Sequence, residues 1–203
     1  MKIYDFRLAP NPRRVRIFIA EKGVEMTYIQ VDLFAGHNYH AEFLQKNPLG
    51  ALPVLDFDDG TYLAESVAIC RYFEGMYPEP PLMGINPKDA AFVEMWNRRM
   101  EFELFGPIGR AFQHSHPMFK DRIKQFPEFG ATQREHALKR YEWLDSLLAQ
   151  REFVAGDRYT IADITAQVAV DFGQEAAGVP LPPHARYIKR WHETVSARPS
   201  AKA

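Results

Sequence analysis

The chain has one cysteine, Cys70, in 203 residues. No intrachain disulfide can form, and such sparing use of cysteine fits a reducing compartment. Net charge is nearly absent: 25 Lys and Arg oppose 26 Asp and Glu. Whole-molecule electrostatics therefore give no general hold on nucleic acid or on an anionic lipid surface. No apolar run approaches the roughly 18 residues of a membrane span. A strand-like pattern starts at Lys2, with no apolar stretch and small-residue cleavage site ahead of it, so no secretory leader is read. Together these absences imply a cytoplasmic chain with neither membrane nor nucleic acid as its partner. Internal repeats and low-complexity segments are missing too, which excludes solenoids and arrays.

What remains is ordinary globular material, 46% apolar and 25% charged. A chain of this length buries roughly 70% of its unfolded surface, enough for a core that needs no covalent staple. Residues 2–8, 26–31, 53–57 and 62–64 carry strand patterns. Residues 12–22, 40–45 and 66–76 carry helical ones, and Asp59-Gly60 marks a hairpin between the last two strands. The order is βαβαββα over residues 1–78. Pro78, Pro80 and Pro81 then interrupt the pattern, so 79–85 reads as a linker. Residues 86–203 read as all-helical, with helices over 87–105, 108–114, 132–150, 161–177 and 184–196. Gly106-Pro107 predicts a break or kink. The stretch 161–177 is apolar on nearly every side, as a central buried helix would be. Cys70 lies on an apolar stripe and reads as a small core hydrophobe, not a nucleophile.

The densest signal is "RLAPNPRRVR", residues 7–16. Asn11 is a favoured N-cap, and Pro12 suits the first helical position because its missing N–H would be unpaired anyway. Free amides at a helix start, with Arg13, Arg14 and Arg16 nearby, would stabilise an anion such as a thiolate. A plain capped helix with solvated arginines fits the same residues. Further on, Thr160-x-x-Asp163 follows the logic of a capping box, which makes it a folding device. The Gln113-His114-Ser115-His116 run supplies two alternate histidines and no third ligand, so no metal is expected.

"NPLGALPVLDFDDGTYLAESVAICRYFE", residues 47–74, settles the choice. With Leu52-Pro53 before a strand, Glu65-Ser66 opening a helix and "YTIAD" at 159–163, the sequence resembles the cytosolic glutathione transferases over nearly its whole length. The form is a bacterial type without the usual N-terminal serine, tyrosine or cysteine. The resemblance implies a thioredoxin-like first domain (1–78) that binds glutathione and an all-helical second domain (86–203) that carries the hydrophobic substrate site. It implies an enzyme of detoxification, joining the glutathione thiolate to small hydrophobic electrophiles. Alternatives are a glutathione-dependent disulfide or peroxide reductase, or a non-catalytic binding module. Glutathione is then a co-substrate, no metal is needed, and the assembly is a homodimer whose partner docks near 65–72 and 101–105.

Residue by residue, the resemblance makes Pro53 cis and pairs the Leu52 main chain with the cysteinyl part of glutathione. Ser66 takes the γ-glutamyl carboxylate and Glu65 the ammonium. The glycyl carboxylate falls to His37, Asn38 or His40. Ala9 stands where relatives carry the serine that contacts sulfur. Asn11 is the surviving thiol contact by this reading, with Arg14 as the second candidate. Phe34, Phe102, Phe105, Phe112 and His116 are candidates for the hydrophobic substrate, with Phe119 from the same stretch.

Overall fold

The computed structural model describes residues 1–203. They divide into two compact units, Met1–Pro81 with the last two residues, and Leu82–Ala201. The first contains β1 (Lys2–Asp5), α1 (Pro10–Glu21), β2 (Thr27–Gln30), α2 (Ala41–Leu44), β3 (Val54–Asp56), β4 (Tyr62–Leu63) and α3 (Ser66–Met76). Its four-stranded sheet has the order β2-β1-β3-β4. β1 runs parallel to β2 and antiparallel to β3, and β3 runs antiparallel to β4. This is the βαβαββα order that the hydrophobic periodicity predicts and the thioredoxin-like arrangement that the resemblance implies. Ile3, Val54 and Leu55 from the sheet, with Val15, Phe18, Ile69 and Phe73 from α1 and α3, are buried in its core. Cys70 is buried among them, as its place on the apolar stripe requires.

Several element boundaries differ from expectation. α1 starts at Pro10, with Ala9 as its cap residue, not at Pro12 with Asn11. The Ala9 N–H donates to the Phe6 carbonyl at 2.9 Å, and the first helical bond runs from the Arg13 N–H to the Ala9 carbonyl. Both prolines thus fall in the first turn, where a missing N–H leaves no helical acceptor unmet. The Asp59-Gly60 turn does join two antiparallel strands, but the hairpin closes between Phe57 and Thr61. The Asp59 carboxylate accepts from both the N–H and the hydroxyl of Thr61 and shapes the loop.

The second unit holds α4 (Pro87–Arg99), α5 (Gly106–Ser115), α6 (Pro127–Leu148), α7 (Ile161–Glu175) and α8 (Arg186–Ser196). At Gly106-Pro107, where a break or kink is expected, the chain stays helical. Between α4 and α5 the chain widens into a π-helical segment, Met100–Phe105, while Gly106 keeps helical dihedrals. A wider turn lets Pro107 enter without the i−4 bond that it cannot make. α6 begins five residues before the expected start at 132, capped by Phe126 with Pro127 in its first turn. Gly130 allows that extension: a Cβ there would lie 3.1 Å from the Cβ of His114 on α5. No helix is long and apolar enough to cross a membrane.

α7 is the buried axis of this unit, with every residue from Ile161 to Asp171 buried. The capping box expected at its start is present. Thr160 accepts from the Ala162 N–H, and the Asp163 carboxylate accepts from the Thr160 N–H. Burial raises the Asp163 pKa from 3.8 to about 6, against opposing hydrogen bonds from Val154, Trp191 and Thr160. A carboxyl that holds its proton more tightly when folded contributes stability at low pH, and this contribution is lost as pH rises through 6. Lowering the pH from 7 to 4 should therefore stabilise the wild type relative to Asp163→Asn by at most about 3 kcal/mol. Denaturant titrations of both proteins across that range check the sign; a gap independent of pH would contradict it.

Candidate functional site

Three main-chain features of the first unit define the site: the turn into α1, the entry to β3, and the start of α3. The turn is braced from below. Asp5 and Arg16 are both buried and ion-paired at 2.5 Å. Arg16 Nη2 also donates to the Arg7 carbonyl at 2.8 Å, and the Arg7 N–H donates to Gln30 Oε1. Arg16 is thus a buried strut rather than a charge presented to a ligand. Burial pushes its guanidinium pKa below the usual value, while Asp5 opposes that shift.

The prolines make the donor inventory at this helix start short. Among residues 9–12, Ala9 spends its N–H on Phe6, and Pro10 and Pro12 have none. Asn11 alone offers donors: its main-chain N–H and its side-chain NH₂. It does not cap the helix, and its Oδ1 instead accepts from Arg14 Nη1 at 3.0 Å. Arg14 is 1% exposed. The same Nη1 donates to Ser66 Oγ at 2.6 Å, across 52 residues of sequence. Tyr4 does not supply the missing hydroxyl. Its ring packs on Phe43, its OH lies 3.5 Å from Asp56, and burial raises its pKa.

At β3 the Leu52-Pro53 bond is cis. Pairing of β1 with β3 ends at Val54, and β4 reaches only to Leu63 opposite Leu55. The Leu52 N–H and carbonyl consequently sit beyond the ladder, with no partner from the chain. Asn47 holds the approach, with Nδ2 donating to the Ala51 carbonyl and Oδ1 accepting from the Leu49 N–H.

At α3 the cap residue is Glu65 rather than Ser66, and no side chain caps the helix. Glu65 has φ 67°, a region that non-glycine residues enter rarely and that clusters at functional sites. This backbone turn exposes the Glu65 side chain and places Ser66 in the first helical position. The first intrahelical bond comes from the Ile69 N–H to the Glu65 carbonyl. The amides of Ser66, Val67 and Ala68 therefore have no helical acceptor, and the helix dipole favours an anion before them.

The loop of residues 37–40 sorts its three candidates. His37 and His40 are exposed, with ring centroids 5.0 Å apart. Asn38 is 4% exposed, and its Nδ2 donates to the Gly50 carbonyl at 2.8 Å. Its amide thus braces the 47–51 loop, whereas the two histidines keep their rings at the surface. Phe34 packs edge-on against Phe6 in the same unit.

In the second unit the aromatic candidates divide. Phe112 is the hub: its ring meets Phe172 at 4.9 Å, Phe119 at 5.5 Å and His116 at 4.6 Å. Phe105 also touches Phe172. Phe102 does not join them; it is 64% exposed, with the Arg98 guanidinium 5.9 Å from its ring. Both histidines of the 113–116 run take backbone amides, His114 Nδ1 from Phe126 and His116 Nδ1 from Met118.

Sequence reading singled out Asn11, Arg14 and Ser66 separately and missed the bond network that joins them. It also missed Asn47 as the brace behind Ala51. The Asn11–Arg14 spacing of three hints at a shared helix face, but nothing in sequence spacing links Arg14 to Ser66.

Known proteins show the same architecture. Residues 1–75 match the family model of the glutathione S-transferase N-terminal domain, and residues 110–199 match that of the C-terminal domain. Glutathione S-transferase 2 of Saccharomyces cerevisiae is 35% identical over 100% of this chain and 88% of its own. The crystal structure of Gtt2 from Saccharomyces cerevisiae is similar with a TM-score of 0.94 at 35% identity, covering 100% of this chain and 99% of that one. A glutathione S-transferase domain-containing protein of Marinobacter aquaeolei VT8 is similar with a TM-score of 0.93 at 40% identity, covering 98% of this chain and 99% of that one. A two-unit fold that joins a thioredoxin-like sheet to a helical unit, with matches to both domain models and full-length relatives above 30% identity, places the chain in the cytosolic glutathione transferase family.

Proposed function

We propose that the protein catalyses attack of the glutathione thiolate on small hydrophobic electrophiles. The observation that carries this reading is the Arg14 bridge. It holds a potential thiol donor, Asn11, within one guanidinium nitrogen of a potential carboxylate site, Ser66. The cysteinyl main chain of glutathione pairs with the open Leu52 N–H and carbonyl, as an added strand would. The γ-glutamyl carboxylate meets the Ser66 hydroxyl and the free amides of α3, and Glu65 receives the ammonium. The glycyl carboxylate falls to the loop of His37, Asn38 and His40, where the two histidines are exposed. The Asn11 side chain donates to sulfur and favours its ionised form.

In the second unit, Phe105, Phe112 and His116 form the apolar wall for the electrophile. Catalysis consists of thiol ionisation and orientation of the second substrate. The molecule works as a cytoplasmic homodimer in detoxification, a state that light scattering would register.

The short donor inventory at α1 supports a second reading. With no hydroxyl at position 9 and two prolines in the first turn, thiol activation rests on a single residue. Such a site would also suit a disulfide or peroxide reductase, or a module that binds glutathione without turnover. Calorimetry with glutathione, then turnover on an aryl halide and on a hydroxyalkyl disulfide, separates these readings. Asn11→Ala should lower kcat/KM for the aryl halide about tenfold, equivalent to one hydrogen bond to an ionised sulfur. Ala9→Ser should raise it. Unchanged turnover in Asn11→Ala would remove that assignment, and binding without turnover on either substrate would favour the module.

A further inference from the structure

We propose that Arg14 is a positioning residue that couples the two ends of the glutathione site, so that occupation of the Ser66 end by a carboxylate orders the thiol-facing amide of Asn11. This rests on the glutathione reading above and adds to it a residue that need not touch the tripeptide.

The argument is one of donors and acceptors. A guanidinium donates and never accepts. Arg14 Nη1 carries two protons and donates to Asn11 Oδ1 at 3.0 Å and to Ser66 Oγ at 2.6 Å. Ser66 Oγ therefore acts as acceptor toward Arg14, and its own single proton must find another acceptor. An incoming carboxylate oxygen supplies one. Asn11 Oδ1 is likewise held, which fixes the carboxamide with its NH₂ turned away from the guanidinium. Both donors thus face away from the same cation.

Position and burial make this a tight coupling. Asn11 and Arg14 are three residues apart on α1, hence on one helix face, and α1 packs against α3 where Ser66 sits. Arg14 is 1% exposed and Ser66 7%, so the charge acts through weakly screening surroundings. An anion at Ser66 polarises the hydroxyl, strengthens its bond to Nη1, and immobilises the nitrogen that orients Asn11. Lysine would keep the charge but lacks the planar fork that sets both directions at once.

A cycle of protein and ligand variants tests this. The proteins are wild type, Arg14→Gln and Arg14→Lys. The ligands are glutathione and γ-aminobutyryl-cysteinylglycine, which lacks only the glutamyl α-carboxylate. Calorimetry gives affinity, and ultraviolet absorbance of the bound thiolate against pH gives its ionisation midpoint. In wild type, losing the carboxylate should weaken binding and also move the thiolate midpoint to higher pH. In Arg14→Gln, glutathione affinity should fall 10- to 100-fold, and the midpoint should become the same for both ligands. Arg14→Lys should recover part of the affinity without restoring that dependence.

A folded Arg14→Gln protein with wild-type affinity, or an equal carboxylate effect on the midpoint in wild type and variant, overturns the proposal. Should Arg14→Gln fail to fold, Asn11→Ala, Ser66→Ala and their double variant replace it. Coupled effects on affinity support the bridge, and additive effects overturn it. Wild type that does not bind glutathione at all fails differently, because it removes the underlying site assignment and the coupling with it.

Discussion

Replacing Asp163 with alanine will destabilise the second unit by about 3–5 kcal/mol, the range for breaking a buried polar network. The carboxylate is fully buried. Its Oδ1 accepts from the Val154 N–H at 2.8 Å and from Trp191 Nε1 at 2.9 Å. Its Oδ2 accepts from the Thr160 N–H at 3.0 Å and from the Thr160 hydroxyl at 3.3 Å. One side chain thus ties the start of α7 to the preceding loop and to α8. Alanine leaves two main-chain amides and an indole N–H without acceptors in a region that excludes water, and each carries its own desolvation cost. Asparagine retains one acceptor oxygen and should cost less. Chemical denaturation followed by tryptophan fluorescence reads all three proteins. An Asp163→Ala midpoint equal to that of wild type would mean that this network contributes nothing to the fold.

The second large effect is expected at Asp5. Asp5→Ala should cost about 3–5 kcal/mol, because it leaves the Arg16 guanidinium buried beside no counter-charge. Asp5 is 1% exposed and accepts from Arg16 Nη1 at 2.5 Å and from Gln30 Nε2 at 2.6 Å. The pair joins β1 to α1, and Gln30 extends the tie to β2. Most of the loss is the penalty of an isolated buried charge, not the worth of the pair. The double variant Asp5→Leu with Arg16→Met should therefore recover most of the stability. Thermal unfolding of the single and double variants decides the matter: a double variant no better than Asp5→Ala would show that the ion pair itself, with the Arg7 tether, holds the turn.

Much of the first unit was legible in the sequence because alternation and helical periodicity report which face of each element is buried. Ile3 and Leu55 on strands, and Phe18 and Phe73 on helices, announce their faces without reference to partners. The capping box at Thr160 and Asp163 was legible for a related reason. Its bonds close within four residues, so local chemistry decides it. The local rule failed where long-range bonds compete. Asn11 satisfies every sequence criterion for a cap, yet the Phe6 carbonyl pulls the turn tight at Ala9 and starts the helix one residue before Asn11. Ser66 looks like a cap for the same reason, yet the Glu65 backbone takes that place and the hydroxyl turns to Arg14. Burial of Asn38, and the bond from its amide to the Gly50 carbonyl, are likewise invisible to the local pattern.

By itself, then, the sequence determined the order of strands and helices and the faces they bury, and its resemblance to a family pointed to the segments around Asn11, Pro53 and Ser66. Only the tertiary structure decided how their side chains divide the work. Periodicity encodes burial of a face, which depends on neighbours along the chain. The pairing of Arg14 with Ser66, 52 residues away, depends on two helices packing so that a buried donor meets an acceptor, and no local pattern specifies that distance.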